Sequence, residues 1–541
     1  MANETEEKKT DKTEPPGPEL VEISIDGRKY QAPKGENLLQ FMLEQGLEIS
    51  YFCYHPGLSV VAVCRQCLVG LAKMNKLVPA CQTPIGPGME VDNSSDKVLA
   101  ARRQLLEFTL VNHPVDCPIC DKAGECILQR HYMDWDHAPS KIDHSKVRKP
   151  KHVDLGPRIV LDDERCILCT RCVRFMAEVA KDPQLVVSKR GSKAVLTVAP
   201  GRKLDHPYSL NVVDICPVGA LTDKDFRFKM RVWELSSTRS VCNGCATGCP
   251  CEVHHRRDRI YRLVPRRYGN HDINDNWMCD FGRYTYKAVA ADRLSLPRVQ
   301  GKETGWDEAI GFVADRLKVA LEGDRARIGV VLGADATNED NFAASRLAFD
   351  FLGAPRVYLG AEPEGDAGDD FLRDNDPNPN RAGAAACGAD IGTAAELADD
   401  LAEGKLAALY VVGERLHLPA EALAKAQALD LFAVQATHDR SPLVQSAQVA
   451  LPAAAWAEVD GTITNRENRT QRLRAAVAPV DFARPHWQIL VQVARRAGLT
   501  LDFVSPRAIF EAMQQEIELF KDAEWGAELP PQLLRYAGSR G

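Results

Sequence analysis

Cys166-Ile167-Leu168-Cys169-Thr170-Arg171-Cys172, followed at a distance by Cys216-Pro217, is the stretch on which the reading of this chain turns. Three thiols at two-residue intervals suit the corners of an iron–sulfur cluster gripped by a tight loop, and a remote Cys-Pro supplies the fourth corner. Two clusters would need two complete runs. The first run's own closing thiol would fall at position 176, which is Met176, and the three thiols that would precede Cys216 fall on His206, Ser209 and Val212. The two half-runs therefore complete each other, and predict a single [4Fe-4S] cluster on Cys166, Cys169, Cys172 and Cys216. Zinc fits this spacing badly.

Working outward, 16 of the 17 cysteines lie between Cys53 and Cys279, and only Cys387 falls beyond. Cys53, Cys64, Cys67 and Cys81 form a first set, C-x10-C-x2-C-x13-C, in which the close pair Cys64 and Cys67 could grip one iron. Its spacing alone suits zinc as well as [2Fe-2S]. What precedes it tips the balance to [2Fe-2S]: residues 21–25 alternate, Asp26-Gly27 is a hairpin turn, 29–32 return, and 37–43 fit a helix ended by Gly46. A second set is His113, Cys117, Cys120 and Cys126. The helical run 97–112 stops at His113-Pro114, since the residue before proline avoids the α region. A lone His is usually a core or surface residue, but one four residues ahead of a thiol triplet reads as a ligand. Neutral imidazole in place of thiolate makes a cluster less negative, which by itself raises its potential. Cys242, Cys245, Cys249 and Cys279 form the last set. Cys251 stands too close to Cys249 to share a cluster with it, so Cys251 and Cys387 read as small buried hydrophobes.

The 541 residues amount to about three and a half domains. Apolar (45%) and charged (26%) fractions are ordinary, which excludes a mostly disordered, collagen-like or membrane-embedded chain. A net charge of -7 offers no field for nucleic acid. Nowhere is there an apolar run long enough to span a bilayer. The polar opening MANETEEKKTDKTEPPGP lacks a secretory core, so a reducing compartment is expected, where closely spaced thiols are ligands or catalysts before they are disulfides. Residues 1–19 read as a disordered tail. After about Pro297 strand-like runs (327–333, 406–413, 431–435) alternate with helical ones, an α/β pattern with a parallel sheet. Trp306, Ala309, Ile310, Val313, Leu317 and Ala320 make an apolar stripe for that sheet, and 361–390 reads as a long surface loop. No dinucleotide or phosphate-loop motif appears, so neither NAD nor ATP has a seat and electrons must arrive from another chain.

In this order the four sets resemble the large iron–sulfur subunit of bacterial NADH:quinone oxidoreductase, respiratory complex I, over residues 20 to about 290. Further on, Asp292-Arg293-Leu294, Gly305-Trp306-Asp307-Glu308-Ala309 and the run from Glu458 to Arg469 look like segments of a molybdopterin-oxidoreductase domain in degenerate form. The resemblance implies a multidomain α+β and α/β protein: a tail (1–19), a β-grasp [2Fe-2S] ferredoxin-like domain (20–98), a one-His/three-Cys [4Fe-4S] domain (99–140), a single-cluster ferredoxin-like [4Fe-4S] domain (141–234), a [4Fe-4S] domain of molybdopterin-oxidoreductase type (235–295) and a truncated α/β domain (296–541). It implies one [2Fe-2S] and three [4Fe-4S] clusters, no molybdopterin, and no complete active site in this chain. The implied role is to relay single electrons from flavin-bearing NADH-oxidising subunits towards the iron–sulfur subunits of the quinone-reducing arm. NADH and quinone would be bound by those partners, on the cytoplasmic side of the bacterial inner membrane. Two departures separate the chain from molybdenum enzymes. Phe281 stands where they typically carry the Lys linking cluster to pterin, and only about 260 residues follow Cys279. The rival reading is a molybdenum or tungsten formate dehydrogenase, which needs a metal-ligating Cys early in the α/β domain; none occurs between Cys279 and Cys387. An iron-only hydrogenase would need several more thiols there.

Overall fold

Val21, Ile23 and Ile25 alternate with Glu22 and Ser24, a pattern that buries one face of a strand and wets the other. In the computed structural model, which describes residues 18–136, 139, 143–266, 273–353, 356–388, 390–526 and 532–533, Leu20–Ile25 pairs antiparallel with Arg28–Pro33. Asp26 (φ 48°) and Gly27 (φ 80°) supply the left-handed turn of a two-residue hairpin. The expected tail falls almost entirely outside the described residues. Glu90–Asp92 adds to Leu20–Ile25 in parallel, and Leu68–Leu71 and Val78–Pro79 complete a five-stranded sheet. The helix Leu38–Glu44 starts at Asn37, whose side chain accepts from the Gln40 N–H, and ends ahead of Gly46 (φ 69°). Its Leu38, Leu39, Phe41 and Met42 share a core with Val21, Ile23 and Ile25.

The chain divides into two units. The first comprises the described residues of Met1–Leu155, Val160–Lys203 and Ile215–Leu221. Besides the sheet it holds the helix Asp96–Leu110, which ends before His113-Pro114 as expected, the helix Ile127–Trp135, and a short helix Arg171–Arg174 that widens into a π turn over Phe175–Val179. Such π segments are frequent at functional sites.

The second unit comprises Gly156–Ile159, Leu204–Asp214 and the described residues from Thr222 onward. Ser236–Val241, Pro250–Arg256 and Arg259–Pro265 form an antiparallel sheet. Beyond it, Ile328–Gly333, Arg356–Gly360, Ala408–Val412, Leu431–Ala436 and Val449–Pro452 form a parallel sheet. Numbered by their order in the chain, they lie 2-1-3-4-5 across the sheet. Alternate residues face two cores: Val330, Leu332 and Tyr410 on one side, Val331, Leu409 and Phe432 on the other. The helix Trp306–Glu322 lays Ala309, Ile310, Val313 and Leu317 on the first of these. One expectation fails. The stretch 361–390 is not a plain surface loop: Arg381–Ala386 is helical, and Asn378 and Asn380 are fully buried. Polar side chains go inside here because they replace backbone partners. Asn378 bonds both the N–H and the carbonyl of Glu362, while Asn380 donates to the Ala336 carbonyl and accepts from the Thr464 N–H. Cys387, expected in a loop, caps that helix at 5% exposure, and its thiol donates to the Gly383 carbonyl.

Candidate cluster sites

The third set is the most sharply built. Cys166, Cys169, Cys172 and Cys216 line one cavity in the first unit, walled by Ile167, Val173, Val187, Leu196, Val218 and Leu221. Leu168 (φ 52°) and Thr170 (φ 64°) take left-handed backbone on either side of Cys169, curling the loop around that cavity. Burial among apolar walls pushes the Cys166 thiol up to about 12 and Cys169 to about 11. Thiols so raised are poor nucleophiles at neutral pH, and ionise there only when a metal takes the place of the proton.

The first set closes differently from expectation. The sequence pairs Cys64 with Cys67, but the structure hydrogen-bonds the Cys53 thiol to Cys64 and the Cys67 thiol to Cys81. The Cys53 N–H also points at Cys64 Sγ, 3.5 Å away. Within each pair one thiol is lowered and the other raised, Cys53 falling to about 6 while Cys64 rises. The backbone explains the change of partner. Ala62 (φ 49°) and Arg65 (φ 57°) bend the chain on either side of Cys64, turning that thiol back towards Cys53.

In the second set the His113 ring is hydrogen-bonded to the Arg165 backbone, while its Nδ1 is buried without a partner. Burial lowers its pKa to about 4, leaving a neutral imidazole with a free lone pair at physiological pH. Burial raises the Cys117, Cys120 and Cys126 thiols. Cys126 Sγ lies 3.7 Å from the Pro217 carbonyl. Gly219 passes so close to Cys120 that a Cβ there would sit 2.2 Å from its Sγ.

Cys242, Cys245, Cys249 and Cys279 are all buried in the second unit. Cys279 Sγ accepts from the Gly282 N–H at 3.2 Å, and a Cβ on Gly282 would stand 2.9 Å from Cys242 Sγ. Cys251 is fully buried on the strand Pro250–Arg256, packed with Val253 and Leu263. Among the described residues no three His, Cys, Asp or Glu side chains are placed to hold a single metal ion.

A cavity of about 820 Å³ in the second unit opens beside Cys279 and reaches Asp335, Glu414 and Arg415. These follow the strands Ile328–Gly333 and Ala408–Val412, the neighbours between which strand order reverses, and ligands of such sheets bind at this switch point. A pterin dinucleotide would bring a pyrophosphate to the N-terminus of the helix Asn338–Arg346, which follows the first of these strands. A capping box already engages part of that end and sets a carboxylate against it: Thr337 Oγ accepts from the Asp340 N–H, and the Asp340 carboxylate accepts from the Thr337 N–H and hydroxyl. Near Cys279 the Phe281 ring lies under the Arg373 guanidinium at 4.1 Å, where a cluster-to-pterin bridge would need a polar group. The residues present do not fit the group.

Sequence reasoning missed Gly219, Gly282 and two buried arginines, Arg171 and Arg174. A glycine three residues past Cys216, and another three past Cys279, were the available signals.

Four stretches match known families: residues 19–96 a 2Fe-2S iron-sulfur cluster binding domain, 102–139 the NADH-ubiquinone oxidoreductase-G iron-sulfur binding region, 156–222 the ferredoxin-like domain of NADH-quinone oxidoreductase subunit 3, and 372–496 molybdopterin oxidoreductase. The G subunit of NADH-quinone oxidoreductase from Streptomyces coelicolor is 36% identical over 341 residues, covering 62% of this chain and 40% of the relative. The Mycobacterium bovis protein of the same name is 35% identical over 366 residues, 66% of this chain and 45% of the relative. The mitochondrial NADH dehydrogenase [ubiquinone] iron-sulfur protein 1 of Solanum tuberosum is 39% identical over 306 residues, 56% and 41% of the two chains. The matched stretch spans less than half the length of each of these relatives. Over that stretch the chain is similar to the large iron–sulfur (G) subunits of the NADH-quinone oxidoreductases.

Proposed function

We propose that this chain is an electron-relay subunit of an NADH:quinone oxidoreductase, carrying one [2Fe-2S] and three [4Fe-4S] clusters on the four sets. The observation that supports this best is the way one unit links three of them. The Cys53 and Cys169 carbonyls share one guanidinium, and the Pro217 carbonyl, next to Cys216, accepts from the Ile127 N–H beside Cys126. Loops of different sets are thus tied together directly by shared guanidinium and backbone hydrogen bonds. When bound, clusters supply reversible one-electron chemistry. Cys53 with Cys64, and Cys67 with Cys81, would each hold one iron of the first; His113 would ligate through Nδ1.

The described chain contains no helix long and apolar enough to cross a membrane. Partner subunits bearing flavin and quinone, a peripheral position on the cytoplasmic side of a bacterial inner membrane, and the modular boundaries set out above belong to the same proposal. The formate dehydrogenase alternative is not favoured, because Cys387 lies in the sheet's core and not on the cavity wall. Iron, acid-labile sulfide and metal analysis with low-temperature EPR on anaerobically purified protein tests the reading. About 14 Fe per chain is expected; stoichiometric zinc with no signal after dithionite reduction would overturn it, and molybdenum with formate turnover would restore the alternative.

A further inference from the structure

We infer that Arg171 and Arg174 form a cationic clamp between the first and third sets, positioning their ligand loops and holding both centres at higher potential. The inference rests on the cluster reading above. Both arginines lie on the short helix that begins between Cys169 and Cys172, and they are 4% and 7% exposed. Arg174 donates to the Cys53 carbonyl at 2.5 Å, to the Cys169 carbonyl at 3.5 Å and to the Ser59 carbonyl. Arg171 repeats the pattern on neighbouring carbonyls, donating to that of Ile215 at 3.1 Å, beside Cys216, and to that of Tyr54, beside Cys53. Each planar fork therefore spans from a first-set loop to a third-set loop, a reach that needs the several donors of a guanidinium. Glu178 braces the same arrangement by accepting from the Ser59 N–H and hydroxyl.

Neutral donors would suffice to tie loops together. What guanidinium adds is a charge that cannot be deprotonated. Burying such a charge is costly unless an anion answers it, yet both arginines bond only carbonyl groups and the Thr170 hydroxyl among the described residues. The groups whose negative charge acts on Arg174 are the Cys53 and Cys169 thiols first and the Glu178 carboxylate, itself bound to Ser59, after them. Ligating thiolates and the clusters they hold are therefore the main anions within reach. A buried cation favours the more negative, reduced state of each neighbour, and a cation shared by two raises both together.

The test is a redox titration of the cluster EPR signals in the full-length protein, comparing wild type with Arg174→Gln and Arg174→Lys, with iron counted in each. In Arg174→Gln the first- and third-set midpoints should both move to more negative values while the other two stay. Arg174→Lys, which keeps the charge, should hold both midpoints nearer to wild type. Unmoved midpoints, or a shift in one centre alone, would overturn the inference. If the glutamine variant loses iron while the lysine variant keeps both centres at wild-type midpoints, the charge is again the agent. Loss of iron in both assigns Arg174 to folding alone and overturns it. Wild-type protein lacking the two signals would instead bring down the cluster reading.

Discussion

The unit carrying the first three sets and the parallel-sheet region of the other are held together by different physics. In the former the five-stranded sheet keeps an apolar core of its own, but around the sets buried thiols and the guanidiniums of Arg165, Arg171 and Arg174 occupy places where a core would put Leu or Val. In the latter, five strands are buried on both faces by two apolar cores. A fold of the first kind leans on what its ligands bind, since free energy of metal binding is free energy of folding when no site survives in the unfolded chain. A fold of the second kind leans on burial alone.

The largest effect that would break this contrast is the removal of iron. Chelation under reducing conditions should abolish amide-exchange protection across the third-set loops and the helix Ile127–Trp135, yet leave the strands Ile328–Gly333 and Ala408–Val412 protected. Equal loss in both would show that the sheet also depends on the clusters. Next in size is Gly219→Ala. The new methyl meets Cys120 Sγ on one side and the Lys122 side chain on the other, so the second set should lose its cluster, about 4 Fe per chain. Retention of full iron would mean the loop yields. In the sheet the counterpart is Phe432→Ala, fully buried among Leu409, Val411 and Val434. It should cost about 3–5 kcal/mol in denaturant unfolding with iron content unchanged.

The same contrast explains what the sequence makes legible. The hairpin at Asp26-Gly27 and the stripe on Trp306–Glu322 follow from turn chemistry and helical period, both local. The grouping of Cys166, Cys169, Cys172 and Cys216 is legible because coordination restricts spacing, whatever the surrounding fold. Which thiol meets which is another matter. Cys53 reaches Cys64 through bends at Ala62 and Arg65 that no motif encodes, and the arginine clamp spans loops more than forty residues apart. The stretch 361–390 misleads for a related reason. Its Asn and Asp content marks turns in general, and only the fold shows that Asn378 and Asn380 stand in for missing backbone partners.

Glu339 offers the smallest and most specific test, because it is a carboxyl buried in the sheet region with hydroxyl and amide partners but, among the described residues, no cation bonded to it. It is fully buried, and its carboxyl accepts from the Thr462 N–H and hydroxyl. Desolvation nonetheless dominates and raises its pKa from 4.5 to about 7. Between those values the unfolded chain releases a proton that the folded chain keeps, so stability is greatest below pH 4.5, falls as pH rises, and levels off above about 7. The loss should be of order 3 kcal/mol. Glu339→Gln keeps a carbonyl for the Thr462 N–H and an amide that can donate to the hydroxyl, but has no proton to lose. Denaturant midpoints of the sheet region, read from pH 5 to 8, should therefore decline more steeply in wild type than in the variant, where Asp335 and His438, both also raised, still titrate. A parallel decline in both would place the titrating group elsewhere.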